Sequence, residues 1–300
     1  MKTYYSGKRQ LKEDIAGYLF ISPWLIGFFA FAVIPMGMSL YFSFTRYDIL
    51  SSPVFIGLGN FRRMMTDAQF WQALRITFVY AFFSVSLRLA FAFFLASMFK
   101  RASGTTKVYT TAYYLPSLVG ASIAVAVLWR RIFMGDGLLN VILNAVGIPS
   151  TISWVGNPDT ALWVIVALAV WQFGSSMLIF LAGLRQIPKT YYEAASIDGA
   201  GWVSQFFRIT LPQMTPIIFF NLIMQLINGF TAFNQAFIIS GGRGEPMGST
   251  LFYALYVYMR AFVFNEMGYG SALAWVLVLI IAFFTTIIFK TQNRWVHYES

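Results

Sequence analysis

The 300-residue sequence contains no cysteine and a single histidine, His297, in a polar tail. Without thiols there is no disulfide framework and no thiolate chemistry. One imidazole cannot assemble the usual His or Cys metal site within one chain, nor a Ser–His–Asp arrangement at membrane depth. Charge is scarce as well: 11% of residues are Asp, Glu, Lys or Arg, against roughly 25% in an ordinary soluble domain. A phosphate cradle of the G-x-x-x-x-G-K-[ST] kind is missing. The glycine-rich run GGRGEPMGST at 241–250 has neither that spacing nor the lysine, and reads as a turn-rich loop joining two spans. The chain is therefore expected to hydrolyse no nucleotide itself, to carry no catalytic or metal site, and not to be an enzyme. A cleaved leader is not expected either. The polar MKTYYSGKRQLKED is too long for an n-region, and the apolar stretch behind it is too long for an h-region and lacks an A-x-A site.

What abounds is apolar surface: 58% hydrophobic residues, 32 Phe, 9 Trp and a mean hydropathy of +0.66. Apolar stretches at about 15–44, 73–99, 108–134, 161–184, 213–240 and 268–289 are each long enough for the roughly 20 helical residues a bilayer core requires. The expected fold is all-α, a polytopic membrane helix bundle of about six transmembrane helices. The first stretch holds Pro23 and Pro35 and should be tilted or kinked. No repeat and no low-complexity linker divides the chain, so residues 1–300 are expected to form one transmembrane domain.

The net charge of +10 would suggest nucleic acid in a soluble protein. Here the basic residues lie mostly in short segments between apolar runs, which points to membrane orientation and to no nucleic-acid partner. With the N-terminus inside, all seven lysines fall on the inner side, from Lys2 to Lys290, together with Arg9, Arg101, Arg185, Arg208 and Arg294. The outer segments hold arginines alone, among them Arg46, Arg62, Arg63, Arg130 and Arg131. Both termini are then cytoplasmic.

Polar residues inside the spans are the candidates for a solute path. The fifth stretch carries Asn221, Gln225, Asn228, Thr231, Asn234 and Gln235, at spacings that put most of them on one helical face. Amides are costly toward lipid, so this face should meet the bundle interior or a wet cavity. Helix–helix glue and a solute path both remain open at this point. Trp171 and Gln172 in the fourth stretch could stack on and hydrogen-bond a sugar, although Trp171 alone reads better as packing. Arg88 lies near the middle of the second stretch, and all eleven acidic residues fall outside the spans. An unpaired central arginine costs at least about 2.5–3.5 kcal/mol. Backbone carbonyls, a partner subunit, water or an anionic solute could compensate it, the last suggesting an acidic sugar.

The inner connector between the fourth and fifth spans, about 185–212, has helix-compatible pieces at Tyr191–Ile197 and Ala200–Ile209 around Gly199, where a backbone turn is cheap. Glu193-Ala194-Ala195, then Gly199, then Ile209-x-Leu211-Pro212 resembles the EAA loop of ABC importer permeases. Asp198-Gly199-Ala200 and the preceding LAGLRQIP resemble the carbohydrate-uptake branch, the type that includes the maltose transporter's membrane subunits. The likeness runs over nearly the whole chain, from ISPWLIGFFAFAVIPMGMSLYFSFTRYD to Phe233–Gly242, departing where the common G-G-P is Gly241-Gly242-Arg243.

That resemblance implies a cell-membrane pore subunit of an ATP-driven sugar or oligosaccharide importer. Its cytoplasmic coupling helix would seat in a cleft of an ATPase subunit. Glu193 would be the charged docking contact, with Asp198 beside it, Gly199 the turn, and Ala194, Ala195 and Ala200 the packing surface. The implied partners are a second, different permease chain, two ATPase subunits that hold the ATP and Mg, an extracytoplasmic solute-binding protein and a carbohydrate. No cofactor is expected on this chain. The alternative is an autonomous secondary carrier or channel. A proton-coupled carrier should show titratable groups inside its spans, and only Arg88, which cannot titrate, lies there.

Overall fold

The computed structural model describes residues 7–100, 104–120 and 122–297. Lys2 and Arg101 lie outside the described residues. Helix α1 (Gly7–Phe28) runs through a π-helical turn, Phe29–Val33, into α2 (Ile34–Ser43). The sequence causes the wide turn. Pro35 has no N–H and its ring crowds the carbonyl four residues back. The ladder relaxes to an i→i+5 bond, Ile34 N–H to Phe29 O. The kink expected from Pro35 thus takes the form of a π turn. The strands β1 (Thr45–Arg46) and β2 (Val54–Phe55) follow, then α3 (Gly59–Thr66) and the long α4 (Ala68–Met98). Asp67 caps α4 by accepting from the N–H groups of Gln69 and Phe70 at 3.0 and 3.4 Å.

Next come α5 (Gly104–Val119), α6 (Ile123–Ile132), α7 (Leu138–Ala145), α8 (Ala161–Trp171) and α9 (Gly174–Gln186). A short pair, α10 (Lys189–Ile197) and α11 (Trp202–Gln205), leads through a second π turn, Phe206–Thr210, into α12 (Leu211–Phe230). Pro212 stands two residues beyond this π turn, as Pro35 does beyond the first. The chain ends through α13 (Asn234–Ile239), α14 (Tyr253–Tyr258) and α15 (Met267–Thr291).

Among the described residues, five helical runs are long and apolar enough to cross a bilayer, and a sixth span results if the bent pair Val108–Val119 and Ile123–Ile132 is counted as one. The expectation of about six spans therefore holds, but three apolar stretches are not single rods. The third bends by 98°. At Gly120 an added Cβ would meet Gln172 Cγ at 2.4 Å, and Ser122 restarts the helix by accepting from Ala124 N–H at 3.2 Å. The fourth breaks at Gln172–Phe173 and the fifth at Thr231–Phe233. Apolar composition over 24 or more residues marks membrane depth; it does not mark where backbone bonds are interrupted.

The chain groups into two compact units, one comprising the chain up to Met64 with Arg260–Trp275, the other Met65–Met259 with Val276 onward. In the first, β1 and β2 pair antiparallel, Thr45 opposite Phe55 and Arg46 opposite Val54. Buried Asn60 donates to the carbonyls of Ser43 and Thr45 at 2.9 and 2.8 Å. Arg63 and Arg260 share the Glu266 carboxylate at 2.8 and 3.2 Å.

In the second unit α4, α9 and α12 meet around Ala92, Ala96, Met177, Phe180, Leu184 and Met214. Lipid tails are as apolar as leucine, so close packing holds this core rather than exclusion from water. Small residues permit it. At Gly183 an added Cβ would fall 2.0 Å from Ile217 Cδ1, and at Gly229 it would touch Ala81 at 3.2 Å.

Candidate functional site

The break between α8 and α9 leaves the last carbonyls of α8 without helical partners, a costly state at membrane depth. Arg88 on α4 fills one position: its Nε donates to Ala169 O at 2.6 Å. A cation at a helix C-terminus also faces the negative end of the macrodipole. The same guanidinium donates from Nη1 to Gln225 Oε1 on α12 at 2.6 Å, and Gln225 Nε2 donates to Ser176 Oγ on α9 at 3.1 Å. Arg88, which has no carboxylate in reach on the spans, is thus held by a freed carbonyl and an amide. Two of its five N–H donors are used in these bonds.

The rest of the break is satisfied from α5. Ser117 Oγ donates to Gln172 O at 3.0 Å and accepts from Ser175 N–H at 3.0 Å, while Gln172 Nε2 donates to Gly120 O at 3.0 Å. Gly174 lets α5 come this close, since a Cβ there would lie 2.5 Å from Tyr113 O. At the second break, Thr231 ends α12 by directing both its N–H and its hydroxyl to Ile227 O, at 3.0 and 2.8 Å.

The two breaks wall one cavity of about 350 Å³, within the range of small-molecule sites. Of the residues singled out in the sequence, Arg88, Gln172, Gln225, Asn228, Asn234 and Gln235 line it, as does Thr231. Two do not. Asn221 is buried and returns its amide to Ile217 O at 3.1 Å, and Trp171 packs on Trp129 with ring centres 5.5 Å apart. Asn221 lies on the same face as Gln225 but one helical turn farther along α12, outside the lining, and the Trp171 ring faces α6. Tyr80 and Ser84 also line the cavity. The signal that reveals them is the i, i+4, i+8 row of polar residues Tyr80, Ser84, Arg88 on one face of α4.

Chemically the wall offers amide and hydroxyl groups that both donate and accept, together with one permanent cation and no lining carboxylate. Neutral amides match hydroxyl-rich solutes, and broken helices lining a polar cavity are where transporters place them.

The second candidate is the elbow formed by α10 and α11. Its turn is a complete C-terminal cap. Ala200 N–H bonds Ala195 O at 2.8 Å, and Gly199 N–H bonds Ser196 O at 3.1 Å, with Gly199 at φ +77°. Gln205 Nε2 locks the elbow by donating to Ser196 Oγ and Ala200 O, both at 3.0 Å. Tyr192 hydroxyl bonds Thr210 Oγ1 at 2.9 Å, with Lys100 Nζ over its ring at 3.7 Å. The helical pieces differ slightly from the sequence expectation: the first begins at Lys189, and the second is the short α11 followed by the π turn. Glu193, Ala194, Asp198 and Gly199 are exposed, and Ala195 and Ala200 are half-buried. Beside them Ile197 is 87% and Trp202 77% exposed. Composition alone did not mark those two as surface groups, because each also fits a helix core.

Residues 88–298 match the family model described as binding-protein-dependent transport system inner membrane component. The chain is 55% identical over 290 residues to the probable ABC transporter permease protein YesP of Bacillus subtilis (strain 168), covering 96% of this chain and 94% of that one. It is 33% identical over 298 residues to the arabinooligosaccharides transport system permease protein AraP of the same organism, covering 96% and 92%. Among solved structures, a chain of a bacterial ABC transporter involved in import of the acidic polysaccharide alginate superposes with a TM-score of 0.83. That match is at 21% identity and covers 95% of this chain and 98% of that one.

Proposed function

The chain belongs to the family of binding-protein-dependent transport system inner membrane components, and on that premise we propose how this sugar importer permease works. It is a pore subunit that alternates access, moved by separate ATPase subunits docked at the α10–α11 elbow. Glu193 and Asp198 make the charged contacts, and Ile197, Trp202, Ala194, Ala195 and Ala200 fill the ATPase cleft around the Gly199 turn. ATP and Mg are bound on those partners; this chain needs no cofactor of its own. A second, different permease chain completes the pore, and an extracytoplasmic binding protein delivers the solute. Both termini and the elbow lie on the cytoplasmic side, in keeping with the lysine distribution.

One observation carries this reading. Helix α12 starts at the elbow, where Thr210 bonds Tyr192, and ends at the cavity, where Gln225 holds Arg88. The 20 residues of α12 make a rod about 30 Å long. Displacing its elbow end must shift Gln225 against α4 and α9. That is a discrete element whose position both ends can bias, which coupling requires.

The solute path is the 350 Å³ cavity. Its amides suit a sugar's hydroxyls, and the unspent N–H groups of Arg88, with no carboxylate in the lining, suit an acidic one. The test is ATP-dependent uptake in vesicles that hold the assembled importer, with and without Glu193→Lys. The substitution should abolish both copurification of the ATPase and uptake. Sugar flux that persists with no ATPase present would refute the reading.

A further inference from the structure

Helix α7 presents its apolar side outward. Leu138, Val141, Ile142 and Ala145 form an i, i+3, i+4, i+7 stripe, and all four are exposed. Val141 is 58% and Val146, one residue beyond the helix, 66% exposed. The side turned toward the chain carries the polar residue. Asn140 is buried, and its amide donates to Gly135 O and Ile152 O at 2.8 Å each. Its Oδ1 accepts from Ser150 Oγ at 2.8 Å and Trp154 Nε1 at 2.9 Å. This polarity is the reverse of a helix that lies on a soluble surface.

From Gly137 to Pro158 the sequence holds no Asp, Glu, Lys, Arg or His. Charges stand immediately outside that stretch: Arg130, Arg131 and Asp136 before it, Asp159 after it. Arg131 and Asp136 pair at 2.9 Å with both side chains exposed. Helix α7 starts six residues beyond the end of α6, and the connector ends at α8, which opens a helical run long and apolar enough to cross a bilayer.

We propose that α7 is an interfacial anchor, lying in the boundary of the bilayer at the end of the α8–α9 span opposite the elbow, with Leu138, Val141, Ile142 and Val146 immersed in lipid. Three features select lipid as the occupant. The exposed stripe is uncharged, whereas a face that steers and orients a soluble partner carries charge. The polar groups around Asn140 are satisfied within the connector itself, the condition for leaving water. The stripe follows α6, whose Ile123, Val127 and Leu128 are exposed on one arm of the bent helix pair that is apolar enough to make a span if counted as one. The anchor would hold the α6–α8 corner at a fixed depth while α12 moves.

The absence of cysteine makes the test direct. Single cysteines placed at Val141, at Ile142 and, as a water-facing reference, at Asp159 are labelled with an environment-sensitive fluorophore. The measurement uses the assembled importer in vesicles containing nitroxide lipids. Labels at Val141 and Ile142 should be quenched roughly twofold or more relative to Asp159, more by shallow than by deep nitroxides, and should resist aqueous iodide. Quenching by iodide without quenching by lipid would overturn the proposal. So would protection from both agents that disappears when the second permease chain is omitted, because the face would then be a protein interface.

Discussion

Gly199 tests the elbow most sharply, because its conformation and its surroundings separate two possible costs. At φ +77° the residue sits in the left-handed region, and an added Cβ would meet nothing within 4 Å. Any penalty for Gly199→Ala is therefore backbone strain alone, roughly 1–2 kcal/mol. Gly201, two residues on, is a matched control: its φ is −69° and it too has open space around the Cβ position. Gly201→Ala should be nearly silent. If docking requires the capped turn, the Gly199→Ala importer should bind its ATPase subunits about 5–30-fold more weakly, the factor that corresponds to 1–2 kcal/mol. Gly199→Asn should fall between, since asparagine tolerates this region better than alanine. Affinity of the permease pair for the ATPase and ATP-dependent uptake should decline in the order Gly, Asn, Ala. If Gly199→Ala binds and transports as Gly201→Ala does, the turn is not the joint.

Two further substitutions probe the cavity and its walls. Arg88→Gln should change the ratio of acidic to neutral sugar uptake by about 10-fold or more, given 1.5–3 kcal/mol for hydrogen bonds to a charged group; competition uptake measures it, and an unchanged ratio excludes an acidic solute recognised by Arg88. Gly174→Ala would bring a Cβ within 2.5 Å of Tyr113 O, a backbone atom that cannot step aside, whereas the clash at Gly183 is with the mobile tip of Ile217. The first should destabilise the chain by about 1–3 kcal/mol and the second by less, as read from thermal unfolding in detergent; the reverse order would contradict the packing described.

How much of this was legible in the sequence depended on the kind of physics involved. Spans follow from summed apolarity, which many residues state redundantly, so their number and approximate limits were readable. The elbow was readable because Gly199 and its neighbours act locally: the turn needs a glycine, and the cap closes within six residues of chain. The helix breaks were not. The α8–α9 break depends on distant residues, Ser117 and, for its freed carbonyl, Arg88, so nothing within 161–184 announces it. The fifth stretch shows the same limit. Its amides have a helical period, but the break at Thr231 and the position of Asn221 one turn away sort them into lining and non-lining groups.

The breaks and the charge explain one another. An arginine at the centre of a span is expensive, and so is an unpaired helical carbonyl at the same depth. Arg88 and Ala169 O offset part of those costs jointly. Arg88 also lines the cavity, and its position is tied to Gln225, fourteen residues along α12 from Leu211. Any motion of α12 about its own axis must therefore either carry α4 and α9 with it or release Arg88 from Gln225. Under the proposed function, a movement that starts at the elbow would in this way reach the one charged residue of the cavity lining. On that reading the elbow and the polar cavity would be two ends of one device.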